Sequence, residues 1–171
     1  MLSIEPWLRG TEFDVPAVAR AVVHALQLAE EDLLRWCNGL SDDELNQRPY
    51  GVAPVAFHLR HVARSVDRLL TYAEGQTLSE QQLERLSTEL DIGAKGAELF
   101  TELSAVLADA AARVRALART NLEEARTVGK KHLPTTVGGL LVHIADHTQR
   151  HVGQAISTAK VLVGMRPEAR S

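Results

Sequence analysis

Apolar residues recur at helical spacing in four long stretches of the chain. In the first, Val15, Val18, Val22, Leu26, Leu33 and Trp36 mark one face of a helix. Asp14 stands at the capping position, Pro16 lies in the first turn, and Gly39 after Asn38 supplies a stop. The second stripe is the most regular: Val55, Leu59, Val62, Val66, Leu69 and Ala73, opened by Pro54 and closed by Gly75. A third follows Gly93 and Gly96 and runs through Leu99, Leu103, Val106, Leu107, Ala110, Val114 and Leu117. The last covers roughly Val137 to Leu162, with Thr135 or Thr136 as its cap and Gly164 and Pro167 as terminators. The tail after Met165 is expected to fray.

Between these stretches the pattern weakens. Ser41-Asp-Asp-Glu44 reads as a capping box for at most a short helical turn, and Ser79 with Gln82 repeats that arrangement ahead of a short helix. Arg48-Pro49-Tyr50-Gly51 is a loop by its breakers, and residues 120–136, with Gly129-Lys130-Lys131 and Pro134, read as a polar connection. Four long amphipathic helices make an all-α four-helix bundle. The link of residues 75–95 is long enough to cross the bundle, so a long crossover is expected between the second and third long helices. No internal repeat interrupts this plan, and no low-complexity tract beyond the alanine-rich third long helix.

Composition narrows the class. The 171 residues are one domain's worth, with a core expected over about 14–164. Alanine and leucine dominate, while Trp, Tyr and Phe number only two, two and three, which favours helix over sheet. A net charge of −3 argues against a protein that grips nucleic-acid phosphates. The single cysteine, Cys37, allows no internal disulfide and no cysteine-based zinc framework. No apolar run approaches the roughly 18 residues of a membrane span, and Met1 to Gly10 lacks a signal-peptide layout. The expectation is a cytoplasmic chain acting without nucleic acid or membrane.

The chemistry lies in seven histidines, five of them in two groups: His58 and His61 on the second long helix, and His143, His147 and His151 on the last. Side chains four apart on a helix stand one turn above each other, about 5–6 Å between Cβ atoms, so two imidazoles can meet one ion. A ring from a facing helix would complete a three-ligand site with an open position, as in catalytic zinc sites. His147 and His151 border the apolar stripe of Leu140, Ile144, Ala155 and Leu162, where neutral imidazoles need partners. His143 drifts further from that stripe. On the second long helix, spacing alone favours His58, nearer the core face than His61. His24 and His132 have no histidine within reach and read as structural. Trp36 reads as a core anchor and Cys37 as a small buried side chain.

These residues resemble a known family. Leu-Leu-Val-His143-Ile-Ala-Asp-His147-Thr-Gln-Arg-His151-Val-Gly-Gln154 looks like the His-x-x-x-His-x-Gly-Gln motif of the DinB-like (YfiT-like) superfamily of bacterial four-helix-bundle metalloproteins. Pro54-Val-Ala-Phe-His58-Leu-Arg-His61-Val-Ala resembles the family's other hallmark, and Leu40-Ser-Asp-Asp-Glu-Leu-Asn-Gln-Arg-Pro49 its usual lead-in. The resemblance implies metal ligands at His61, His147 and His151, with His58 and His143 in reserve. It overrides the preference that spacing gives to His58. It also implies close helix approach at Gly153 and a polar role beside the ligands for Gln154. An acidic residue near the position of Asp67 is common in the family, either as a catalytic base or to orient a ligand. With Arg64 and Arg68 beside it, Asp67 reads equally as part of an ion-pair cluster.

Three neutral imidazoles and an open position suit a divalent ion, zinc or nickel above all. Such an ion brings the pKa of bound water to about 7, or binds a thiol as thiolate. Among the proteins resembled, some look like metal-dependent hydrolases and others like transferases or isomerases that use a low-molecular-weight thiol. The expectation is a metal-dependent enzyme acting on a small molecule. The alternative is a metal-binding or stress-associated dimerisation module without catalysis. The apolar edges of the first and third long helices are the expected homodimer surface.

Overall fold

The second and most regular stripe becomes the helix on which the site is built. In the computed structural model, which describes residues 4–167, Val55–Ala73 is helix α3, with Val55, Leu59, Val62, Val66 and Leu70 buried. The other long helices are α1 (Ala17–Cys37), α5 (Gly96–Leu117) and α6 (Val137–Met165), and two short ones, α2 (Asp42–Asn46) and α4 (Glu80–Ser87), lie in the links. The chain is mostly helical. Helix α1 packs on α5 and α6, and α3 packs on the same two. The shared core contains Val22, Leu26, Leu33, Leu59, Leu103 and Ile144.

The link after α3 returns along that helix. Gly75, at φ 76°, turns the chain where an added Cβ would touch the Arg126 side chain. Gln82 then reaches Asp67 and Thr71, Glu89 reaches Arg68 and His61, and the Asp91 carbonyl accepts from Arg60. The partners on α3 thus step back towards its N-terminus. Helix α5 starts there, with the Gly96 N–H donating to Asp42, and runs in the direction of α3: Glu102 meets Arg64, and Arg113 meets Asp67 and Glu74.

Three side-chain caps form where the sequence places them. Ser41 with Glu44 and Ser79 with Gln82 both form complete capping boxes, and Thr136 accepts from the Gly139 N–H at the start of α6. Asp14 does not cap α1, whose N-cap position is Pro16 with no side-chain bond. Trp36 is not a core anchor. It is 38% exposed, with the Lys160 ammonium 4.2 Å from its ring centroid and the Arg35 guanidinium at 5.1 Å.

The stretch read as a polar connection holds an antiparallel hairpin of β1 (Ala125–Val128) and β2 (Leu133–Thr136), pairing Ala125 with Thr136 and Val128 with Leu133. The segment before and within it serves α6, whose first N–H groups have no intrahelical acceptor. Val137 donates to the Glu124 carbonyl and Gly138 to that of Leu122. Cys37 is buried as expected. Of the tail after Met165, Arg166 and Pro167 are described, Arg166 pairing with Glu44, and residues 168–171 lie outside the described residues.

Candidate metal centre

Helices α3 and α6 run antiparallel, so His58 and His61 on one face His151 and His147 on the other. The Nε2 atoms of His61 and His147 are 3.3 Å apart. Ring centroids are 4.3 Å apart for His61 and His151, 4.6 Å for His147 and His151, and 5.0 Å for His61 and His147. One nitrogen from each of the three rings lies within 4.8 Å of the others, an arrangement that could hold a metal ion. Two nitrogens on one tetrahedral zinc, each at ~2.0–2.1 Å, stand roughly 3.3–3.4 Å apart. The His61–His147 pair already has that spacing.

The remaining nitrogens decide which atoms face the cluster. His61 Nδ1 lies 2.7 Å from Glu89 Oε2, and the other Glu89 oxygen accepts from Arg68 at 2.6 Å. A carboxylate can only accept, so the proton sits on His61 Nδ1 and Nε2 presents its lone pair. His151 Nδ1 lies 3.0 Å from His58 Nδ1, which leaves His151 Nε2 for the cluster. His147 Nδ1 is buried with no hydrogen-bond partner among the described residues. Phe57 stacks on His61, with centroids 5.2 Å apart at 20°, and meets His58 edge-on.

Burial favours the neutral form of three of the rings. Burial, reinforced by the charge of neighbouring rings, holds His58, His147 and His151 down at about 4. Burial pushes the Glu89 carboxyl up, but the hydrogen bonds from His61 and Arg68 outweigh it and leave Glu89 below its usual range. Neutral imidazoles are the ligating form, and an ionised carboxylate behind one of them raises its basicity.

The other residues singled out in the sequence fall outside the cluster. His58 is buried behind His151, and His143 is exposed one turn before His147, its ring centroid 5.3 Å away. Asp67 is on α3 beyond His61, with one oxygen accepting from Arg113 at 2.8 Å and the other from Gln82 at 2.7 Å. Its expected neighbours bind elsewhere: Arg64 pairs with Glu102 and Arg68 with Glu89. Gly153 is exposed, and nothing lies within 4 Å of a Cβ added there, so no helix approaches it. Gln154 is exposed, and its side chain makes no hydrogen bond among the described residues. His24 is buried on α1 near Thr11, and His132 occupies the hairpin turn at φ 48°.

Sequence reasoning missed Glu89. The available signal was the cationic row Arg60, Arg64 and Arg68 beside His61, which calls for acceptors from a neighbouring segment. Residues 25–155 match the family model of the DinB superfamily. The chain belongs to the DinB superfamily. No curated protein matches it. The DinB-superfamily match spans α3, α5 and the histidine-bearing half of α6, so both halves of the cluster lie within the family's own extent.

A sizeable cleft lies away from the cluster. That cleft, about 680 Å³, lies at the opposite end of α3, between Tyr72, Leu78 and the hairpin residues Arg126 and Lys130. Twelve residues of helix from His61 to Ala73 separate the two by roughly 18 Å. The histidines instead border the surface, the His61 side chain being 18% exposed. No helix among the described residues is long and apolar enough to cross a membrane.

Proposed function

We propose that this DinB-superfamily protein is a divalent-metal-dependent enzyme acting on a small molecule, with zinc or nickel held by His61, His147 and His151. The observation that carries the reading is the convergence of one nitrogen from each ring within 4.8 Å, with His61 backed by Glu89. A divalent ion held by three imidazoles acts as a Lewis acid and lowers the pKa of a thiol or water at its remaining position.

Two chemistries fit such an ion: hydrolysis by metal-activated water and transfer to the sulfur of a low-molecular-weight thiol. General-base hydrolysis needs a free acid–base group beside the attacking water. Both oxygens of Glu89 are committed to His61 and Arg68, and both of Asp67 to Arg113 and Gln82. A divalent ion held by His61, His147 and His151 would supply a hydroxide or a thiolate without such a group; in the thiol reaction the thiol proton would pass to solvent as a sulfur–carbon bond formed and the leaving group left the substrate carbon. The sulfur must come from outside the chain, because Cys37 is buried and its thiol is pushed up to about 12. Phe57, stacked on His61, supplies an apolar wall for the substrate.

The test incubates zinc- and nickel-loaded protein with a panel of small thiols and a chromogenic alkylating electrophile. Metal-dependent thiol consumption that disappears on chelation and in His151→Ala supports the transferase. Ester or amide cleavage without added thiol would favour the hydrolase instead. The remote position of the 680 Å³ cleft favours the second reading, a metal-binding module without catalysis. Stoichiometric metal with neither activity would establish it.

A further inference from the structure

We propose that Glu89 is the positioning residue of the histidine cluster, and that the link of residues 75–95 is the element that delivers it. The proposal rests on the metal reading of the three histidines. Its first support is the inside-out character of the segment. From Ser79 to Gly93, Glu89 is the one buried residue, while Leu83, Leu86, Leu90 and Ile92 are all exposed. A link held by hydrophobic burial would turn its leucines inwards, since each fully buried leucine contributes about 1.5–3 kcal/mol. Here a carboxylate takes the buried place, which is costly unless charge partners surround it.

The second support is how the segment is held. Arg60, Arg64 and Arg68 stand one turn apart on α3 and form a row of donors facing it. Arg60 donates to the Asp91 carbonyl, Arg64 to the Arg85 carbonyl and the Thr88 hydroxyl, and Arg68 to Glu89. Three of these contacts fix the backbone or a hydroxyl within four residues of Glu89 and so set its register. The fourth takes one carboxylate oxygen and leaves the other for His61 Nδ1. The bond to Glu89 holds both the ring orientation and the tautomer of His61, so that Nε2 faces His147. Glu89 bonds His61 Nδ1 and Arg68 and no other ring of the cluster, so its effect passes through His61.

Reciprocity follows: if the placed link strengthens metal binding, metal binding must stabilise the placed link by the same factor. Both directions are measurable without an activity assay. Zinc affinity is read by competition with a chromophoric chelator in wild type, Glu89→Ala and Glu89→Gln. Glutamine keeps an acceptor for the His61 N–H, so it should retain affinity that alanine loses. Because Glu89→Ala strands buried Arg68, the double variant Arg68→Met/Glu89→Leu is measured alongside, removing both charges together. Amide hydrogen exchange over residues 85–92 is followed with and without zinc.

The expected result is a 10–100-fold loss of zinc affinity in Glu89→Ala and in the double variant, and a smaller loss in Glu89→Gln. Zinc should slow exchange across residues 85–92 in wild type and not in Glu89→Ala. Folded Glu89→Ala or double variant with wild-type zinc affinity overturns the proposal, as does Glu89→Gln no better than Glu89→Ala. Wild type that binds no zinc brings down the metal reading itself, a separate outcome.

Discussion

The Nδ1 atoms of His58 and His151 lie 3.0 Å apart across the α3–α6 interface. One of them carries the proton of that bond. If His151 donates, its Nε2 lone pair faces His61 and His147, and His58 acts as acceptor from the buried side. This single contact accounts for both readings of helix α3 from the sequence. His58 is the histidine on the core stripe, and His61, towards the flank, is the one that joins the cluster. The expected outcome is graded: His58→Phe should retain metal with affinity lowered about 10–100-fold, while exposed His143→Ala should bind as wild type. Chelator competition measures both. Complete metal loss in His58→Phe with His61→Ala unaffected would exchange their roles.

The metal-free protein should lose stability on mild acidification. His58, His147 and His151 titrate at about 4 in the fold, against about 6.5 in an unfolded chain. Between those values the unfolded chain binds more protons, so unfolding becomes easier as pH falls. The contribution is complete above about 6.5 and lost by about 4. Glu44, held at about 2 chiefly by Arg166 and also by the Ser41 N–H, acts in a lower window, below its ordinary 4.5. The melting temperature of metal-free protein should therefore drop from pH 6.5 to 4.5, less steeply in His58→Phe. A flat profile over that range would contradict neutral burial of the rings.

Asp67→Asn separates a structural from a catalytic aspartate. With its oxygens committed to Arg113 and Gln82, the substitution should lower stability by about 1–2 kcal/mol and leave metal content unchanged. Chemical denaturation and elemental analysis read the two effects. Activity lost with stability intact would instead assign Asp67 to the reaction.

Trp36→Ala should be mild. At 38% exposure, with Lys160 over its ring, its loss removes a cation–π contact of about 0.5–1 kcal/mol together with partial packing. A buried tryptophan would cost about 3–5 kcal/mol. Denaturant titration decides, and a cost in the higher range would place Trp36 in the core.

The long helices were legible because their stripes are long and capped by local chemistry. Leu59 and Val62 could be read as buried from spacing alone, and Ser41 and Ser79 announced their capping boxes. The hairpin was not legible. Its strands are four residues each, mostly exposed, and one contains Pro134, so no alternation marks them. Its role depends on tertiary contact, the carbonyls of Leu122 and Glu124 meeting α6. Within the cluster, the meeting of His147 with His151 followed from helical spacing, whereas the presence of His61 beside them needed the family resemblance, because local periodicity cannot see which flank faces α6. Glu89 is 28 positions from His61 and comes from a segment with inverted amphipathicity, so its own segment gives no sign of it, and the row of Arg60, Arg64 and Arg68 on α3 points only to some acceptor.

The central claim is that three histidines from two helices form one metal site. Elemental mass spectrometry of untagged protein, compared with His61→Ala, His147→Ala and His151→Ala, tests it most directly. About one zinc or nickel per chain in wild type, lost in each of the three variants, is the predicted result. Wild type without metal after zinc and nickel supplementation, or variants that retain it in full, would contradict the claim.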